Sequence, residues 1–210
     1  MNREHLLCSL TAALLAATAP AQAQSSDLHD WTSVGDVLID SSSAAHMSTA
    51  ALESGEAPLS AQSALLYFAL EPALALAPGT LAADTLEGSG LQLNFITLAG
   101  STIAFHWSLS TLGYDPLFAD RAFAVIDGSM LTALGTVAAS EVTGSFTHTF
   151  DGAGSHALAL VVMDVNDTAG VSTLAISDFS VSSVPEPESW ALLLAGGMAV
   201  VRFARRREPA

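Results

Sequence analysis

The stretch Thr102-Ile103-Ala104-Phe105-His106-Trp107-Ser108-Leu109 decides the fold class of this 210-residue chain. Large apolar residues alternate in it with small or polar ones, so that every second side chain shares a face. A period of two is typical of a β-strand with one buried face. His106 falls on the polar face of this strand, where we expect it to be exposed.

The same pattern continues on both sides of this stretch. The segment Leu91-Gln92-Leu93-Asn94-Phe95 precedes it, with a hairpin-like break at Ala99-Gly100. Further strands are predicted at 123–127, 131–138, 143–150, 156–164 and 171–182. Residues 158–163 are continuously apolar, which predicts a central strand covered on both faces. About seven short strands with Gly and Asp turns predict a mainly β domain, either a β-sandwich or a jelly roll.

The N-terminal third of the chain has a different composition. Residues 25–87 are rich in Ser and Ala. Within them, the apolar run 64–70 predicts one short helix that ends before Pro72. We expect one N-terminal strand, a loop and this helix to pack on the sandwich and not to form a second domain.

The N-terminal end predicts a secretory signal peptide over residues 1–23. An apolar run over 6–19 is followed by small residues that include Ala21 and Ala23, the expected cleavage box. The chain's only cysteine, Cys8, lies within this segment. The mature protein would therefore have no disulfide, thiolate metal site or cysteine nucleophile.

The C-terminal end has three parts in a fixed order. These are the extended hinge Val184-Pro185-Glu186-Pro187, an apolar run from Trp190 to Val201, and the basic cluster Arg205-Arg206-Arg207. Basic clusters that follow an apolar span stay on the cytoplasmic side, which would leave the preceding domain outside. The apolar run has 12 residues, which is fewer than the roughly 20 of an ordinary membrane-spanning helix. A short transmembrane helix of this kind suits a transient anchor.

This tripartite end resembles the PEP-CTERM sorting signal of exported bacterial proteins. Stretches within residues 30–183 also resemble passenger domains of that family, namely 86–89, 102–107, 120–128, 161–167 and 172–174. The resemblance implies processing near the Pro-Glu-Pro by an exosortase and an association with exopolysaccharide or biofilm matrix. It implies a secreted β-rich domain without assigning it a molecular activity.

These features divide the chain into a signal peptide (1–23), a secreted domain (24–183) and a sorting signal (184–210). The expected route is export, transient anchoring in the inner membrane with the domain outside the cytoplasm, and delivery to the cell surface or the extracellular space. The expected partners are the exosortase, the membrane before processing and exopolysaccharide.

The charge of the domain excludes whole classes of partner. Residues 25–185 contain 17 Asp and Glu against the single Arg121, a net charge of −16. A surface of this sign repels the phosphates of nucleic acids and offers no basic patch for anionic lipid. We therefore expect no nucleic-acid partner, and we expect Arg121 to pair with its neighbour Asp120.

Sequence motifs of catalysis are absent from the chain. It has no G-x-S-x-G, H-E-x-x-H, P-loop or dinucleotide-binding motif, so we expect no enzyme activity and no cofactor. The remaining candidate is a calcium site formed by Asp151, Asp164, Asn166 and Asp167, which supply the oxygen ligands that calcium prefers. The same residues would also form a solvated turn with side-chain caps, which is the interpretation that the sequence favours.

Two hypotheses therefore stand at the level of the sequence. The first is a non-catalytic protein of the cell envelope or extracellular matrix, sorted by its C-terminal signal. The second is a calcium-assisted glycan-binding, lectin-like module that uses the corner formed by Asp151 and residues 164–167.

Overall fold

The computed structural model describes residues 27–81, 84–182 and 195–197. The signal peptide at 1–23, the hinge at 184–187, Trp190 and the arginine cluster at 205–207 lie outside the described residues, and their assignments stay predictions. Within the described part of the chain, no helix is both long enough and apolar enough to cross a membrane.

Strands dominate the described residues between 27 and 182, with one α-helix and two short 3₁₀ turns. The strands are β1 (Thr32–Val34), β2 (Asp36–Ser41), β3 (Ala44–Ser48), β4 (Leu65–Leu66), β5 (Thr85–Thr97), β6 (Thr102–Leu112), β7 (Arg121–Ile126), β8 (Met130–Thr136), β9 (Val142–Thr149), β10 (Gly154–Val165) and β11 (Val171–Ser182). The helix α1 spans Tyr67–Ala73, and the 3₁₀ turns span Leu28–Asp30 and Leu52–Ser54. The mainly β class predicted from the sequence is confirmed.

The strands form two antiparallel sheets that pack face to face. The first has the order β1-β5-β10-β7-β8, with β4 also pairing with β5. The second has the order β2-β3-β11-β6-β9. Apolar side chains from the inner faces of both sheets make one continuous core, which is the arrangement of a β-sandwich.

Strand β10 lies at the centre of the first sheet, between β5 and β7. Leu158, Leu160 and Val162 face the inner core. The alternate residues of β10 belong to a second apolar cluster on the outer face, together with Leu70 and Leu74 at the helix. The prediction of a central strand covered on both faces is confirmed.

The N-terminal region contains more strand than predicted. Residues 32–48 form three short strands where one was expected, because Ser- and Ala-rich segments lack the apolar alternation that marks a strand. The helix also begins later, since Leu65 and Leu66 pair with β5. It continues past Pro72, whose missing N–H falls near the helix end, and finishes with Leu74 N–H donating to Leu70 O.

Trp107 of β6 fills the core at a place where two glycines leave room for its ring. Gly144, its cross-strand partner on β9, lies under the indole, and a Cβ atom there would come within 2.4 Å of the ring. Gly135 on β8 faces the same ring from the other sheet, with a corresponding distance of 2.9 Å. Trp107 therefore joins the two sheets at this side of the sandwich.

We predict that Gly144→Ala lowers the free energy of unfolding by about 1–3 kcal/mol, because the added methyl group overlaps the buried indole. Urea unfolding measures the change. Gly152→Ala is the matched control, since a Cβ atom at that exposed position meets nothing within 4 Å. Equal stability of the two variants would contradict this packing of Trp107.

Candidate functional site

The outer faces of the two sheets differ in what covers them. The first sheet is covered by α1 and the chain that follows it, through Leu74, Leu76 and Leu81. The second sheet turns exposed side chains such as His106 and Ser145 outward, as predicted for His106. Across its strands β9, β6 and β11 lies an open groove with a volume of about 460 Å³.

The groove is lined by small polar side chains and by Trp107, Gly144 and Ile176. The outward-facing side chains are those of His106, Ser108, Thr143, Ser145, Ala175 and Ser177. Four of the six carry hydroxyl groups, which both donate and accept hydrogen bonds, and the imidazole can do either. None of the lining residues is Asp, Glu, Lys or Arg. The groove is therefore a neutral surface of hydrogen-bonding groups on an otherwise acidic domain.

A second polar feature lies inside the sandwich, at one end of its core. Asp120, which directly precedes β7, is 4% exposed. Its carboxylate accepts hydrogen bonds from Val165 N–H at 3.1 Å and from the Ser172 hydroxyl at 2.5 Å. Ser172 N–H in turn donates to Thr49 Oγ1 at 3.1 Å. This polar layer is enclosed by ends of strands from both sheets.

Asp164 belongs to the same layer and is 1% exposed. It continues the inward-facing series of Leu160 and Val162, and neither of its carboxyl oxygens accepts a hydrogen bond from the described residues. Burial and the neighbouring Asp120 carboxylate raise the pKa of Asp164 to about 9. The Thr49 hydroxyl lies close enough to oppose this rise without meeting hydrogen-bond geometry.

Burial also raises the pKa of two other acids of this region. For Asp120 it outweighs the hydrogen bonds that this carboxylate accepts. Glu87 on β5 is 4% exposed, and burial raises its pKa with a further contribution from Glu53 and Glu56. Its Oε1 atom is buried without a hydrogen-bond partner among the described residues.

The structure does not bring the four predicted calcium ligands together. Asp151 precedes β10 and Asp164 lies near its end, so the 12-residue strand separates them by roughly 35 Å. Asn166 and Asp167 lie in the turn after β10, where Asn166 has a left-handed φ of 63°. Asp167 accepts a hydrogen bond from Ala169 N–H, as a side-chain cap does.

The sequence pattern does not reveal the polar neighbours of Asp164. Asp120, Thr49 and Ser172 come from three distant parts of the chain, and only the strand register brings them together. No group of three or more His, Cys, Asp and Glu side chains within the described ranges is arranged to hold a metal ion. Any ion bound here would need hydroxyl or backbone oxygens as well as the two carboxylates.

Arg121 does not pair with Asp120. Its guanidinium lies 3.1 Å from Asp84 Oδ2 instead. Adjacent residues of an extended chain point to opposite sides, so Asp120 enters the core while Arg121 faces out.

Comparison with known proteins finds distant structural likenesses and no family. No protein-family model matches the chain, and no curated protein sequence does. Among solved structures, a family 4 carbohydrate-binding module is 13% identical, with a TM-score of 0.37, covering 74% of this chain and 96% of that one. The module TmCBM61, solved with β-1,4-galactotriose, is 12% identical, with a TM-score of 0.37 and coverages of 76% and 92%.

A third similar structure is the N-terminal cellulose-binding domain of β-1,4-glucanase C from Cellulomonas fimi. It is 12% identical with a TM-score of 0.33, covering 74% of this chain and 90% of that one. At TM-scores this low the likeness carries no argument about the ligand of this chain.

The raised pKa of Asp164 gives a prediction for the pH dependence of stability. Unfolded, the carboxyl group ionises near its ordinary pKa of about 4, whereas in the folded domain it keeps its proton up to about pH 9. Between these values the folded state binds more protons, so stability falls as pH rises, by at most about 1.4 kcal/mol per pH unit. Urea unfolding in calcium-free buffer at pH 5 and pH 8 measures the slope.

Asp164→Asn removes the titrating group and should flatten this slope, making the variant more stable relative to the wild type at pH 8 than at pH 5. Asp151→Asn, an exposed position at the other end of β10, should keep the wild-type slope. A slope unchanged by Asp164→Asn would contradict the assignment.

Proposed function

We propose that this chain is an exported, non-catalytic protein of the cell envelope or extracellular matrix whose sandwich domain binds a neutral glycan. The observation that carries the binding role is the open groove on the second sheet. The end signals at 1–23 and 184–210 support the export and sorting roles, and they rest on the sequence alone.

The chemistry of the groove favours a polyhydroxylated ligand. Sugar hydroxyl groups donate and accept hydrogen bonds, and so do Ser108, Thr143, Ser145 and Ser177. Its volume of about 460 Å³ lies within the range of small-molecule sites. Because it opens along a sheet surface, the groove leaves room for a chain that extends beyond it at both ends.

The charge of the domain narrows the class of glycan. With 17 acidic residues and one arginine between residues 25 and 185, the field around the domain is negative. Uronic acids or sulfated sugars would be repelled, and the groove lining contains no Arg or Lys to hold them. A neutral polysaccharide suits both the lining and the field.

The same groove offers little for catalysis. His106 is its only titratable side chain, and no carboxylate among the lining residues flanks a position where a glycosidic bond could lie. Glycoside hydrolysis ordinarily needs a pair of such carboxylates. The lining is therefore suited to holding a glycan and not to cleaving it.

We predict that neutral polysaccharides retard the protein in affinity electrophoresis, whereas a polyuronate does not. Cello-oligosaccharides and β-1,4-galactotriose are suitable soluble probes for calorimetry. Ser145→Glu introduces a charge that a bound glycan would have to desolvate, which should weaken binding at least about tenfold. Binding strengthened or unchanged by this substitution would contradict the site.

The control for this experiment is Thr132→Glu, which introduces the same charge at an exposed position of β8 on the other sheet. It should bind like the wild type and unfold at the same urea concentration. If no neutral glycan binds the wild-type protein, the proposed binding role fails as a whole.

The sorting role has its own test. We predict that deletion of residues 184–210 leaves the domain exported but changes its distribution between membrane, surface and medium, because the hinge, anchor and basic stop are lost together. Cell fractionation measures the distribution, and mass spectrometry of the mature C-terminus locates the processing point. The full chain is the control, and an identical distribution of the truncated protein would refute the sorting role.

A further inference from the structure

The polar end of the core contains carboxyl oxygens that no described residue satisfies. Both oxygens of Asp164 are buried and accept no hydrogen bond from the described residues. Buried polar atoms in folded proteins are normally paired, because an unpaired one loses its hydration without compensation. The arrangement therefore indicates a missing partner for Asp164.

The described residues hold no basic side chain that could be this partner. Arg121 is their only Lys or Arg, and it faces outward to Asp84. Among the described residues, the groups that act most strongly on the Asp164 carboxyl are another carboxylate, Asp120, and the hydroxyl of Thr49. Two carboxylates side by side in a buried place attract a positive charge from outside the chain.

We propose that Asp120 and Asp164, together with the hydroxyl oxygens of Thr49 and Ser172, bind a calcium ion inside the polar end of the sandwich. This site differs from the corner predicted from the sequence, because it excludes Asp151 and lies within the core. It is independent of the glycan groove.

Each of the four residues has lone pairs left for an ion. A carboxylate has about four acceptor positions, and Asp120 uses two of them for Val165 N–H and the Ser172 hydroxyl. Ser172 donates its own proton in that contact, so its oxygen still has lone pairs. Thr49 Oγ1 accepts one hydrogen bond, from Ser172 N–H, and both oxygens of Asp164 are unused.

The ligand chemistry favours calcium over other divalent ions. All four side chains offer oxygen, with neither the imidazole nor the thiolate that zinc and copper prefer. Magnesium keeps several water molecules in a strict octahedron, whereas Asp120, Asp164 and Ser172 lie in a place almost closed to solvent. Calcium accepts irregular sets of carboxylate, hydroxyl and backbone oxygens, and its two charges balance the two carboxylates.

Thermal melting of the full chain, stripped with EDTA, tests the proposal. Saturating millimolar calcium should raise the Tm of the wild type by roughly 5 °C or more. Asp164→Asn should abolish most of this rise while still folding, because the neutral amide keeps the shape of the side chain but cannot supply the negative charge that the ion needs. Asp151→Asn is the matched control and should retain the full rise.

Calorimetry with calcium chloride provides a second measurement that needs no variant, and one saturable site is expected. Absence of saturable binding to the wild type overturns the proposal. It would mean that the two carboxyl groups share a proton instead of an ion. A rise in Tm that is equal with magnesium, or equal in Asp164→Asn, also overturns it, since it would come from ions elsewhere on the acidic surface. Glycan binding by Asp164→Asn, measured separately, distinguishes failure of this site from failure of the groove.

Discussion

The near absence of basic side chains constrains every carboxylate in this domain. The described residues contain 17 Asp and Glu but only one Lys or Arg. Apart from Asp84, which pairs with Arg121, the acidic groups with protein partners rely on backbone N–H groups, hydroxyls and imidazoles. Asp36 shows the consequence, because it is fully buried and accepts hydrogen bonds from Leu59 N–H, Ser60 N–H and the Ser48 hydroxyl. Through this one side chain, the loop before β4 is attached to the second sheet.

Histidines form some of the side-chain contacts with carboxylates that arginine and lysine form in other proteins. Nε2 of His46 on β3 lies 2.9 Å from Oδ2 of Asp40 on β2, and Nδ1 of His156 lies 2.9 Å from Oδ2 of Asp127. Asp127 adopts a left-handed φ of 50° at the turn between β7 and β8 and also accepts a hydrogen bond from Ala157 N–H. These contacts connect neighbouring strands, so the domain stabilises its turns without a lysine or a disulfide.

Sequence reasoning recovered the elements that follow from a period of two and missed those that depend on register. The predicted strand 171–182 coincides with β11, and the outward face of His106 is as expected, because both follow from local alternation. The short strands over 32–48 lack that alternation. Asp120 and Asp164 meet only because β7 and β10 pair antiparallel, and the pairing of distant strands cannot be read from either segment alone.

The groove and the acidic layer both follow from the near absence of basic side chains, but in opposite ways. On the open face of the second sheet, hydroxyl groups stand where charges are usual, which leaves a neutral surface for a neutral polymer. Inside, Asp120 and Asp164 have no internal counterion, so the ion that would complete the core has to come from the surroundings. Sites in extracellular modules bind calcium at roughly 0.1–1 mM, weakly enough that occupancy depends on the compartment. An exported chain with such a site would bind the ion, and so complete its core, only after leaving the cytoplasm. Folding of the domain would then depend on export by the predicted signal peptide.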